Sequence, residues 1–413
     1  MGAETLSREN NHNESADRPR DGGAIPAARV GSVEQAAPIG EDQALEILAR
    51  ARTVVDPALR AAVESMPESM RRVVAYHFGW REVDGTPAEA DAGKAIRPAL
   101  VLAAAQACAA NSRAVESFAA GSPGAGAGAG VGTGAVPADS FAVNSPAVQS
   151  AVRAAAAVEL VHNFTLLHDD VIDRDVTRRH RPTAWRAFGA TEAILAGDAL
   201  HSLALRTLAE DSHAATGPAL RRLAHCVVEL CDGQQADCAF ERRSTVSLNE
   251  CLAMAEAKTG ALLGTACAIG ALYGGADEAG AAAMDAFGRE IGLAFQLIDD
   301  LIGIWGDPAV TGKPVGADLL VRKKSLPVVA ALCSGTAAGA ELAEIYALDR
   351  PLTAAEVQRA TDAVERAGGR AWAQGASCER MAAAIEHLSV AVPEPSAAGD
   401  LLALAELVTR RIR

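Results

Sequence analysis

Apolar and polar residues follow a helical period along most of the chain. From Asp42 onward, Ala44, Leu45, Ile47 and Leu48 precede Val54, Leu59, Val63 and Met66 at spacings near three and four, the stripe by which a helix buries one face. Similar patterns recur from Pro146 to the C-terminus with Gly and Pro at their junctions, and alternating β-branched runs are scarce. The pattern therefore predicts an all-α protein. It lapses in two places. Residues 1 to about 40 are polar and punctuated by Gly and Pro, which predicts a disordered tail. From about Asn111 to about Ser145 the chain includes Gly121-Ser122-Pro123-Gly124 and a Gly/Ala run to Gly130, which predicts a flexible insertion. The residues flanking that insertion join one chemical constellation, so it interrupts a single domain spanning 41–413.

Composition sharpens this reading. Half of the residues are hydrophobic, mostly Ala, Leu and Val, and only 4% are aromatic, a mixture suited to closely packed helices. The net charge of −14 repels nucleic acid and anionic lipid, so an anionic substrate requires a local cationic pocket. Eight cysteines form no C-x-x-C pair and lie mostly in apolar runs, which predicts buried, reduced thiols and argues against a disulfide scaffold or zinc site. The N-terminus lacks the apolar core of a secretory signal, and no apolar run reaches membrane-spanning length. The expectation is a cytoplasmic protein with no transmembrane segment. Two apolar islands in the tail, Ala24-Ile25-Pro26-Ala27 and Ala36-Ala37-Pro38-Ile39, are candidate docking sequence for a partner.

The sharpest chemical feature is His168-Asp169-Asp170-Val171-Ile172-Asp173-Arg174-Asp175, at the end of an apolar helical run. Asp169 and Asp173 are four apart and share a helix face, with Asp170 beside them. Carboxylates so crowded repel one another unless cations intervene, and hard oxygen ligands suit Mg²⁺, which commonly bridges to substrate phosphates. A lone motif of this kind could equally be a solvated helix end. Here a second pair, Asp299-Asp300, also emerges from an apolar stretch, with Gln296 three residues earlier on the same face. Cationic segments alternate with these acids: Lys94 and Arg97, the pair Arg178-Arg179, Lys258-Thr259-Gly260, and Lys313. Both Arg and Lys suit phosphate oxygens, so the joint pattern points to a metal and diphosphate site.

These residues resemble the trans-isoprenyl diphosphate synthases, or polyprenyl synthetases, from about residue 42 to the C-terminus. H-D-D-V-I-D-R-D followed by R-R-H-R-P-T resembles the family's first aspartate-rich motif and its arginine pair, and F-Q-L-I-D-D-L the second motif. A-G-K-A-I-R-P, Gly197-Asp198-Ala199-Leu200, Gly233-Gln234 and Lys258-Thr259-Gly260 resemble further landmarks in the expected order. The resemblance implies a single-domain helical bundle of the isoprenoid synthase type around a central cavity, joining an allylic diphosphate to isopentenyl diphosphate. It implies that Asp169, Asp170, Asp173 and Asp299 hold Mg²⁺, and that Arg178, Lys258 and Lys313 contact the allylic diphosphate. Lys94, Arg97, His162 and Arg179 would bind isopentenyl diphosphate, with Thr259 and Gln296 as further contacts. Positive charge around the leaving diphosphate would let the allylic C–O bond ionise, after which the second substrate's alkene attacks the cation and a proton is lost. Homodimerisation is a further family expectation. Three positions depart from the pattern: Ala95 where Arg is common, His180 where Gly is common, and Gly303 in place of the second motif's third Asp.

Within the family, bulky residues just before the first aspartate motif form the floor of the tail cavity. Phe164 with the smaller Thr165 after it resembles the pattern of geranylgeranyl diphosphate synthases. Farnesyl or longer-chain synthesis, a terpene cyclase, and a non-catalytic subunit of a heteromeric synthase are the alternatives. A cyclase has no use for the isopentenyl-site residues, and a non-catalytic subunit has none for both acidic motifs.

Overall fold

The low aromatic and high Ala and Gly content is expressed as helices whose backbones approach closely. The computed structural model of the chain describes residues 41–90, 93–120, 144–308 and 315–409, which belong to one compact body. The polar tail, most of the Gly/Ala-rich insertion and Lys313 lie outside those residues. Helices α1 (Glu41–Glu64), α2 (Glu68–His77), α3 (Ile96–Ala120) and α4 (Pro146–Ile172) lead to a two-residue hairpin, β1 (Thr177–Arg178) with β2 (Arg181–Pro182). Then come α5 (Ala184–Phe188), α6 (Ala190–Ala209), α7 (Thr216–Arg242), α8 (Leu248–Ala255), a π turn (Glu256–Gly260), α9 (Ala261–Tyr273) and α10 (Glu278–Trp305). The C-terminal part adds α11 (Ala317–Leu320), α12 (Leu326–Leu332), α13 (Ala337–Tyr346), α14 (Ala354–Arg366), α15 (Gly369–Ala391) and α16 (Gly399–Thr409).

The core is organised around α9, which is apolar on all sides and almost wholly buried. It packs on α3 and α10, while α4 packs on α6 and α10 also packs on α15. Leu262, Leu263 and Ile269 are nearly inaccessible, each contributing roughly 1.5–3 kcal/mol by burial. Close approach depends on missing side chains: a Cβ at Gly264 would lie 2.8 Å from the Asp285 carbonyl oxygen of α10. Among the described residues no single helix is long and apolar enough to cross a membrane.

Two sequence expectations need correction. The insertion does not begin at Asn111, because α3 continues to Ala120; Asn111, Ser112 and Arg113 tolerate a helix already nucleated by its buried first half. Nor are the thiols mostly buried. Cys108, Cys226, Cys251 and Cys267 are buried, but Cys231, Cys333 and Cys378 are exposed and Cys238 is half-buried. Apolar neighbours in sequence do not fix which helix face a residue takes.

Candidate active site

The first acidic motif sits where α4 runs out, with Asp169 and Asp170 in the last turn and Asp173 as the capping residue. A helix C-terminus carries partial negative charge of its own, so this is an unfavourable place for three carboxylates. Burial pushes the Asp169 carboxyl up to about 6, against Lys258 and Arg178, which pull it down, while Asp173 and Asp170 add like-charge repulsion. Asp173 is also raised, by desolvation first and then by Asp237 and Asp175 against Lys258. Asp170 turns the other way. Its Oδ1 accepts from Arg178 Nε and Nη2, both at 2.8 Å, while its buried Oδ2 has no partner.

Lys258 projects from the π turn, a distortion of the helix ladder that often marks functional sites. Gly233 in α7 makes room for it, since a Cβ there would lie 2.7 Å from the Lys258 backbone nitrogen. Lys258 Nζ donates to Asp237 Oδ2 at 2.6 Å and also faces Asp169 and Asp173. Asp237 was not singled out from sequence; its signal was its place one helical turn beyond Gly233. It also acts on Lys323, so one carboxylate of α7 faces the cations of both acidic motifs.

In the second motif, Asp299 is exposed and Asp300 is buried. Asp300 Oδ1 accepts from Gln296 Nε2 at 3.0 Å and Lys323 Nζ at 3.3 Å, and Oδ2 accepts from the Leu326 N–H at 2.9 Å. Ser325 at the N-cap of α12 makes no side-chain cap bond, so Asp300 caps that helix instead. Thr259 Oγ1 donates to Gln296 Oε1 at 2.8 Å; the two residues expected to touch ligand thus form a relay ending on Asp300. The space over Gly303 is filled from α11, because a Cβ there would collide with the Asp318 carboxylate. Lys323 Nζ lies 3.6 Å from Asp318, bridging it to Asp300.

The other cationic residues gather about Glu159 and His162, two to three turns before the acidic motif. The Arg179 guanidinium lies over Gly93, where a Cβ would collide with it. Arg97 is set against the buried Glu159 carboxylate, and its Nε is buried without a partner. Burial, together with Arg97, Arg179 and Arg178, pushes His162 well below the usual imidazole range, leaving a neutral ring. The hairpin aims the arginines: Arg179 and His180 form its two-residue loop at φ 49° and 62°, the left-handed pair that a tight hairpin requires.

Phe164 is buried, its ring 4.9 Å from that of His168 and 5.4 Å from that of His201. Thr165 Oγ1 donates to the His162 carbonyl oxygen at 2.8 Å. His201 had no sequence signal, because its contact is between helices.

The carboxylate set fits a hard divalent cation: Asp170 Oδ2 is buried with no partner in the protein, and Asp169 and Asp173 are further hard oxygen donors in the same motif. Among the described residues no three potential ligand side chains form a closed cage; Mg²⁺ commonly keeps waters and takes other ligands from substrate phosphates.

The sequence pattern of the Polyprenyl synthetase family matches residues 88–364, more than half of the chain. A geranylgeranyl diphosphate synthase of Mycobacterium tuberculosis is 45% identical over 388 residues, covering 94% of this chain and 98% of the relative. A (2E,6E)-farnesyl diphosphate synthase of Mycobacterium bovis is 40% identical over 371 residues, covering 89% and 93%. Among solved structures, a polyprenyl synthetase of Streptomyces coelicolor A3(2) superposes with a TM-score of 0.75 at 41% identity, covering 88% of this chain and 98% of that one.

Proposed function

Because the chain belongs to the polyprenyl synthetase family and is an isoprenyl diphosphate synthase, we propose that it condenses an allylic diphosphate with isopentenyl diphosphate in the presence of Mg²⁺, with geranylgeranyl diphosphate as product. The observation that carries this reading is the presence of two cationic groupings about the acidic end of α4. Lys258 faces Asp169, Asp173 and Asp237, while Arg97 and Arg179 act on the neutral His162 two turns before Asp169. One anionic group can be held at each.

Asp169, Asp173 and Asp299, with Asp170 behind them, would hold Mg²⁺, which neutralises the oxygens of the leaving diphosphate. Lys258 adds charge to the same group, so the allylic C–O bond breaks with its electron pair on the departing oxygen. Lys94, Arg97, His162 and Arg179 hold the second diphosphate and aim its alkene at the cation. The π pair forms the new C–C bond, and the adjacent proton leaves to a diphosphate oxygen, restoring a double bond. The apolar wall including Phe164 excludes water from the cation.

The C20 product rests on the small Thr165 beside Phe164 and on the likeness to a geranylgeranyl diphosphate synthase; the likeness to a farnesyl diphosphate synthase favours C15 as the second reading. A cytoplasmic homodimer completes the proposal. The test is incubation of the purified protein with Mg²⁺, labelled isopentenyl diphosphate and dimethylallyl, geranyl or farnesyl diphosphate in turn, with products sorted by length. A C20 diphosphate is expected. A C15 or longer product overturns the length, and no elongation from any primer overturns the function.

A further inference from the structure

The family landmarks assign no part to Asp237 of α7, although Lys258 Nζ lies 2.6 Å from its Oδ2. The two side chains are only 26% and 27% exposed, so this charge-assisted bond is screened less than a surface pair. The backbone brings them together. Gly233, one helical turn before Asp237, lets α7 and the π turn meet, since a Cβ there would lie 2.7 Å from the Lys258 backbone nitrogen. That contact roots the lysine beside α7, within reach of the Asp237 carboxylate.

Lys258 nevertheless has other carboxylates to choose from. After Asp237, its ammonium is attracted by Asp169 and Asp173, and Lys258 is the foremost charge acting on each of those two. An ammonium is a compact charge on a flexible stem, so the carboxylate that grips it decides where it stays. On Asp169 or Asp173 it would cover the hard oxygens that suit a divalent cation. On Asp237 it does not.

We propose that Asp237 is a positioning residue that keeps Lys258 off the metal-binding carboxylates. By holding the ammonium on α7 in the substrate-free protein, it leaves the oxygens of Asp169 and Asp173 open to the metal. Asp237 is not itself a ligand. This rests on the metal reading above. An arriving diphosphate offers its own oxygens to the ammonium, so Lys258 passes from Asp237 to substrate.

The test is binding of Mn²⁺ alone to the full-length, substrate-free protein, followed by electron paramagnetic resonance, with the site identified as the one lost in Asp169→Asn. The unaltered protein is compared with Asp237→Asn, Lys258→Gln, the double variant and Asp237→Glu. We expect Kd for Mn²⁺ to rise about tenfold or more in Asp237→Asn, because the freed ammonium competes with the metal. In the Lys258→Gln background the same Asn substitution should change Kd by less than about threefold, since the competitor is gone. Asp237→Glu keeps a grip on the lysine and should stay within about threefold of the unaltered protein. Metal-free melting midpoints identify the folded variants, and Asp237→Ser replaces the Asn variant if that one does not fold. An unchanged Kd in Asp237→Asn, or the same factor with and without Lys258, overturns the proposal; the second result would mean that Asp237 acts on the metal directly. Absence from the unaltered protein of any Mn²⁺ site that Asp169→Asn abolishes would instead overturn the metal reading itself.

Discussion

The two acidic motifs look alike in sequence, and each buries its second acid against a cation, Asp170 on Arg178 and Asp300 on Lys323, but their remaining acids are held differently. At the end of α4, Asp169 and Asp173 are crowded with like charges at a helix C-terminus, and their carboxyls are pushed upward. In α10, Asp300 is satisfied by Lys323, Gln296 and the Leu326 N–H, leaving Asp299 as the exposed acid of the pair. The first motif thus holds partly buried carboxylates whose ionisation burial disfavours and a cation would favour. The second uses one carboxylate as a structural brace and presents the other. The difference teaches that a D-D pair is two positions with separate duties.

The contrast breaks most sharply if Asp169 and Asp300 are neutralised. Asp169→Asn is expected to lower kcat/KM by at least about 100-fold, since a charge at the reacting diphosphate is lost. Without metal it should nevertheless raise stability at pH 7.5. The folded carboxyl, near 6, holds its proton more tightly than the unfolded one, near 3.8. Ionisation therefore costs stability above pH 6, about 1–3 kcal/mol, and the cost disappears as pH falls through 6 to below 4. The gain of Asp169→Asn should be complete above pH 6 and absent below about 4, as thermal melts across that range would reveal. Asp300→Asn should do the reverse at pH 7.5, lowering stability by about 1–3 kcal/mol, because Lys323 loses one of its counter-charges and α12 part of its cap. Melts in which both variants shift the same way would end the distinction.

A second test concerns the absent third acid. Restoring the family pattern with Gly303→Asp is expected to harm the protein, because the new side chain would meet Asp318 and place like charges together beside Lys323. A loss of about 1–3 kcal/mol should appear as a lower melting midpoint. Pairing it with Asp318→Gly should recover most of that loss, which a double-mutant cycle measures directly. Gly303→Asp with undiminished stability would show that the two positions do not share one space.

Much of this was legible in the sequence, for identifiable reasons. Helix existence followed from the apolar period, and the placing of Asp169, Asp173, Arg179 and Lys258 followed from motifs whose residues are near neighbours in the chain. What stayed hidden depends on contacts between elements. Asp237 joins Lys258 across 21 residues and Lys323 joins Asp300 across 23, separations at which a local pattern carries no distance information. The π turn was equally invisible, because its one extra residue per turn falls inside an uninterrupted helical pattern and is stabilised by the room at Gly233. Thr259 and Gln296 were readable as polar residues facing the site, but not as partners of one another.

Backbone strain extends the comparison with the smallest effect. The first motif's side carries Arg174, Arg179 and His180 at positive φ, and the second motif's side carries Arg322. A non-glycine residue in this region costs roughly 1–2 kcal/mol, so His180, at φ 62°, keeps a conformation that glycine would adopt without that penalty. Glycine also gains freedom in the unfolded chain, which offsets part of the relief. His180→Gly is therefore expected to stabilise the protein by less than about 1 kcal/mol and to leave KM for isopentenyl diphosphate unchanged, because the loop geometry that aims Arg179 is retained. A higher KM with an unaltered melting midpoint would mean that the imidazole, and not the turn, sets the arginine in place.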